Sequence, residues 1–129
     1  MQLVLTGIVL THLAVNLAHG FAHARANVAL SRSSMLFVLL VILVGPILGL
    51  VVQRVAAPPV GEWIIAVTMA GALAFGVANH FLIQGADHVS HVSEPWRALF
   101  GSTAVLLAAT EVAGSAVAVW RATEVRRAS

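Results

Sequence analysis

The chain has 129 residues, 60% of them hydrophobic and 9% charged, and its mean hydropathy is +0.96. A soluble domain carries about 25% charged residues, so this composition excludes a globule surrounded by water, and hydrophobicity this high excludes disorder. A net charge of +2 makes no phosphate-tracking surface, so no nucleic-acid partner is expected. The lack of cysteine removes disulfides, iron–sulfur clusters, thiolate zinc sites and covalent haem.

Charges punctuate the chain into four apolar spans at about residues 2–24, 34–53, 63–86 and 97–120, followed by an arginine-rich tail over 121–129. Each span is close to the roughly 20 residues that cross a bilayer as helix. The fold expected is all-α: a single four-helix transmembrane bundle, up-down-up-down, with short loops. His12, Asn16 and His19 interrupt the first span and argue against reading it as a leader peptide. The second span is nearly all aliphatic and is expected to face lipid most. In it Gly45 and Gly49 form a small-xxx-small pair, and Pro46 predicts a kink. Pro58-Pro59 marks a turn. The third span holds a ridge of Ala66, Ala70, Ala74 and Ala78, which predicts close helix approach. Trp63, Trp96 and Trp120 stand at span ends, where indole prefers the interface.

Arg54, Arg121, Arg126 and Arg127 share one side with the termini; Arg25, Arg32 and Arg97 lie on the other. The excess of one arginine places the termini in the cytoplasm. The localisation expected is the plasma or inner membrane of a prokaryote. The partners expected are the lipid bilayer and a homo-oligomer or larger membrane complex.

Six histidines stand in this apolar background. His12, Asn16, His19 and His23 follow a 4-3-4 spacing that puts them on one helix face. His80, Gln84, Asp87 and His91 repeat that spacing, with His88 beside them, provided that the third helix runs past Ala86. Glu111 stands in the middle of the fourth span. Counting from the membrane sides pairs His12 with Glu111, His19 with His80, and His23 with the Asp87–His91 segment. Ionisable groups at mid-bilayer cost about 2.5–3.5 kcal/mol each, so they are expected to face inward and to serve function. Thr103 and Thr110 read as hydroxyls bonded to their own helix backbone. Serines at span boundaries, Ser31 among them, read as helix caps.

Imidazoles and carboxylates without thiolate suit zinc, copper, iron or nickel. The candidate ligands are His12, His19, His23, His80, Asp87, His88, His91 and Glu111, supported by Asn16 and Gln84. His19 and His80 would be the axial pair if a b-type haem were bound. The segment from His80 to His88 is similar to the H-x4-D-H signature of nickel and cobalt permeases. Six residues rather than four separate its histidine from the Asp-His pair, and the likeness covers nine residues, so no transport assignment follows from it. Three other functions share the same residues: a proton or ion relay in a transporter or accessory subunit, a membrane oxidoreductase with a histidine-bound metal, and a structural subunit whose polar groups only pair helices.

Overall fold

The computed structural model describes residues 2–56 and 58–128, with side-chain surroundings given up to residue 124. Arg126 and Arg127 of the charge balance therefore lie outside the described side chains. The described residues form four long helices and no strand. The first, α1, spans Gln2–Ala26. It stops at Asn27, whose φ of 56° is left-handed, a conformation that Asn tolerates better than most residues. The Val28 N–H donates to the His23 carbonyl at 3.0 Å, and the Asn27 N–H to that of Ala24 at 3.4 Å. This pair of bonds is a Schellman closure.

The second helix, α2, spans Arg32–Val55. Ser31 caps it by accepting from the Ser34 N–H at 3.1 Å, as its boundary position predicts. The disturbance expected at Pro46 takes the form of a π-wound segment, Val38–Val44, that runs into Gly45-Pro46. Proline has no N–H to give to the α-helical ladder, and a widened turn next to it accommodates the break.

The third helix, α3, spans Pro58–Leu82. It begins on the proline pair, a residue type suited to a first helical turn. It ends earlier than the sequence reading requires. Residues Ala78–Leu82 are π-wound, the Ile83 N–H closes onto the Ala78 carbonyl at 2.7 Å, and Ile83 is extended. Gly85, which weakens a helix by about 1 kcal/mol relative to alanine, instead turns back to the Ile83 carbonyl at 2.8 Å. His80, Gln84, Asp87 and His91 are therefore not one helical face, because the last three belong to a folded loop with a short 3-10 turn at Val89–His91. The fourth helix, α4, spans Arg97–Ala128 and continues through the segment read as a tail.

The bundle runs up-down-up-down. Gly45 meets Thr68 and Gly49 meets Ile65; Ser115 donates to the Ala66 carbonyl at 3.4 Å and Arg121 reaches Glu62 at 2.7 Å; His12 pairs with Thr110 and His19 with Thr103. In every pair one number rises as the other falls. Helix α4 packs against both α1 and α3, and α3 packs against α2, while α2 barely touches α1. The half of the bundle near the termini is filled by Leu5, Val9, Leu50, Ile65, Ala66, Met69 and Ala118. Outward leucines such as Leu10, Leu17, Leu40 and Leu48 stay about half exposed. Four helices are long and apolar enough to cross a membrane, and this apolar exterior suits a bilayer.

Two packing expectations change. Helices α1 and α2 are buried to similar extents, so α2 is not set apart as the most exposed helix. The alanine ridge is also not the packed line, because Ala70 and Ala74 are exposed. Successive i+4 steps drift by about 40°, and the inward face of α3 instead follows Glu62, Ile65, Ala66, Met69 and Ala72. The glycine pair does pack closely. A Cβ on Gly49 would stand 2.5 Å from Ile65 Cγ1 and 2.8 Å from the Gly61 carbonyl oxygen. Gly49→Val should therefore destabilise the fold by about 1–3 kcal/mol through overpacking, and Ala70→Val should be nearly silent; thermal unfolding in detergent checks both.

Candidate metal centre

Most of the buried polar residues lie from mid-depth toward the end of the bundle away from the termini, while Gln53 and Glu62 are buried near the termini. The α1 stripe points inward as its spacing predicts: His12 and His19 are buried, and Asn16 and His23 are partly so. Its members divide into two clusters at different depths.

The outer cluster joins His19 and His23 of α1 with His80 of α3. Each histidine brings one ring nitrogen within 4.8 Å of the others. Phe100 is fully buried beneath them, with ring centroids 4.7 Å from His19, 4.8 Å from His23 and 5.2 Å from His80. Proton assignments follow from the partners. His19 Nδ1 lies 2.8 Å from Thr103 Oγ1, and that hydroxyl already donates to the Leu99 carbonyl at 2.7 Å. The hydroxyl therefore accepts, and His19 carries its proton on Nδ1. His80 Nδ1–H donates to the Asp87 carbonyl at 3.1 Å, and His23 Nδ1–H donates to the Val28 carbonyl at 3.3 Å.

With each Nδ1 occupied as donor, each neutral ring presents a bare lone pair at Nε2. The Nε2 atoms of His19 and His80 face one another at 3.2 Å. His23 Nε2 faces Asp87 Oδ1 at 3.2 Å, and that carboxylate oxygen is buried without a hydrogen-bond donor. In these tautomers three imidazole lone pairs converge, with the Asp87 carboxylate beside His23 at the edge of the cluster. Tetrahedral bonds of about 2.0 Å set ligand nitrogens about 3.3 Å apart, which matches the His19–His80 separation. Such a cluster can hold a metal ion.

The loop delivers Asp87 to this cluster by a route that the helical reading did not anticipate. Asp87 Oδ1 also lies 3.5 Å from His80 Nδ1, so one residue touches two histidines. His88 and His91 stay within the loop. His88 accepts from the Ser90 N–H at 3.2 Å and donates to the Phe81 carbonyl at 3.2 Å, with the Gln84 amide 3.3 Å away. His91 donates to the Gly85 carbonyl at 2.7 Å. These two histidines and Gln84 brace the loop and do not join the cluster.

The inner cluster lies about one heptad deeper along α1. Asn16 donates to His12 Nε2 at 2.9 Å, and His12 Nδ1 stands 3.3 Å from Thr110 Oγ1 and 3.9 Å from Glu111 Oε1. Depth matching is accurate here, but His12 and Glu111 form a site separate from the three-histidine cluster.

Sequence reasoning missed Phe100, because one phenylalanine in an apolar span carries no signal. It also missed the double use of Thr103, which bonds its own backbone and fixes a histidine proton. Glu62 and Arg121, read as a turn residue and a tail residue, form a buried ion pair at 2.7 Å. Comparison with family models, with curated proteins and with solved structures finds no match, so function is read from this geometry.

Asn27 both ends α1 and turns the Val28 carbonyl back to His23. A β-branched residue resists the left-handed conformation. Asn27→Val should cost about 1–2 kcal/mol while Asn27→Gly holds stability, as chemical unfolding in detergent would measure.

Proposed function

We propose that this is a membrane metalloprotein binding one divalent transition-metal ion, with His19, His23 and His80 as ligands through Nε2, a fourth position left open, and the Asp87 carboxylate beside His23 as a neighbouring charge. The observation that carries this reading is the set of three histidine ring nitrogens within 4.8 Å of one another, with the buried Asp87 Oδ1 beside them lacking a hydrogen-bond donor. Histidine ligands typically give their second ring N–H to a carbonyl, carboxylate or water, which fixes the tautomer. All three imidazoles have such a partner on Nδ1, in Thr103, Val28 and the Asp87 backbone. Three imidazoles and a carboxylate suit zinc, copper(II), iron or nickel.

The spacing favours a bare ion over haem. Axial bonds of about 2.0 Å on opposite faces of a macrocycle would separate the two nitrogens by about 4 Å, whereas His19 and His80 stand at 3.2 Å with their rings T-shaped. A proton relay through the same residues is less well supported. The α4 residues that line the cavity between Thr103 and Thr110 are Ala104, Leu107 and Ala108, which leaves Asn16 of α1 as the polar step between the two clusters, and its amide is engaged with His12.

Elemental analysis of detergent-purified protein should find near-stoichiometric zinc, copper, iron or nickel, and His19→Ala with His80→Ala should abolish it. Full metal retention in that double variant would defeat the assignment. Thr103→Val, which removes the acceptor of the His19 proton, should weaken metal affinity about 10–100-fold in competition with a chromophoric chelator. Thr110→Val should leave it unchanged, since Thr110 serves the other cluster.

A further inference from the structure

The four helices surround a cavity of about 560 Å³, a volume typical of small-molecule sites. Its walls are mainly apolar, with Ile42, Leu43, Phe75 and Leu107 among them. One end is the His19–His23–His80–Asp87 cluster and the other includes Glu111. Two features say what can fill it.

The first is Glu111 itself. It is 3% exposed, and among the described residues its carboxylate accepts no hydrogen bond, with His12 Nδ1 3.9 Å away. A buried carboxylate lacking donors is costly, so an occupant that offers a hydroxyl there is favoured. The step from His19 to His12 is seven residues, which puts the two polar ends about 10 Å apart along the bundle axis.

The second is the access route. Helix α2 meets α1 at few points, the Ile42 carbonyl at His12 and Arg54 at Thr6 among them, and beyond these the cavity wall at that seam is made by exposed residues: Leu17, Gly20 and Ala24 on α1, and Met35 on α2. This seam lies on the apolar flank of the bundle. The occupant therefore comes from the hydrocarbon phase. A simple long-chain alcohol would satisfy one polar end and leave alkyl groups against the other. An aromatic ring with oxygens at opposite ends meets both and packs its faces on apolar walls.

We propose that the cavity binds a lipid-soluble aromatic diol of the quinol class. One ring oxygen lies on the metal held by His19, His23 and His80, and the opposite hydroxyl donates to Glu111. The ring packs near Phe75, and an apolar tail leaves through the α1–α2 seam. The metal contact rests on the function proposed above; the Glu111 contact does not.

The test uses the full chain in lipid nanodiscs, loaded anaerobically with cobalt(II) and titrated with a short-tailed alkylhydroquinone. The matched alkylphenol, lacking the second hydroxyl, is the control. The hydroquinone should perturb the cobalt absorption bands and bind about tenfold more tightly than the phenol. Glu111→Leu should erase that difference. Gly20→Phe should block the hydroquinone with cobalt content unchanged; a Cβ on Gly20 meets nothing within 4 Å, so this variant is built into open space. Equal affinity for phenol and hydroquinone, or indifference to both substitutions, overturns the proposal. Calorimetry on the metal-free protein with the same two compounds reads the Glu111 contact alone. A failure to bind cobalt would thus sink the metal centre, while the phenol–hydroquinone comparison still decides the occupant of the cavity.

Discussion

A neutral imidazole has one N–H and one lone pair, and where the N–H goes decides what the ring can do. In His19, His23 and His80 the N–H is taken on the Nδ1 side by an oxygen belonging to a different part of the fold: a threonine hydroxyl on α4, a carbonyl beyond the end of α1, and a carbonyl in the loop after α3. The three lone pairs are then turned toward one another and toward a carboxylate oxygen. Such a cluster can hold a cation, and the surrounding architecture fixes its geometry.

That architecture divides the work between the two halves of the bundle. The half near the termini is mainly apolar, with Gln53 and the Glu62–Arg121 pair buried in it, and is built where glycines let α2 and α3 approach closely. The other half carries polar clusters and empty volume. Close packing on one side supplies the stability that the looser side does not, as expected where functional groups break local rules that the rest of the fold obeys. The loop between α3 and α4 belongs to the site as much as any helix does, since Asp87 uses its backbone oxygen on His80 and its side chain on His23.

Most of the architecture was legible in the sequence, because hydropathy and charge placement respond directly to the bilayer. The α1 stripe was legible for a similar reason: histidines at 4-3-4 spacing must share a face, and in this setting the face must turn inward. Depth counting then paired His12 with Glu111, His19 with His80, and His23 with the Asp87–His91 segment, of which only Asp87 reaches it. The end of α3 was not legible. A helical period continued on paper through Asp87 and His91, while the π turn and Gly85 stopped the helix at Leu82. Periodicity cannot see a local change in hydrogen-bond register. The separation of His88 and His91 from the cluster has the same origin, for both are held by short-range bonds that a loop makes with itself. Phe100 and the Glu62–Arg121 pair depend on tertiary contact and leave no periodic trace.

The two polar rungs between α1 and α4 share one geometry. His12 meets Thr110 and His19 meets Thr103, each pair seven residues from the other on both antiparallel helices. Helix α1 has its main partner in α4 and little contact with α2. Any roll or slide of α1 along α4 therefore acts on both rungs together, like two teeth on one gear. The deep carboxylate site and the outer histidine site are in mechanical phase, and a displacement that opened the seam would be felt at both depths at once.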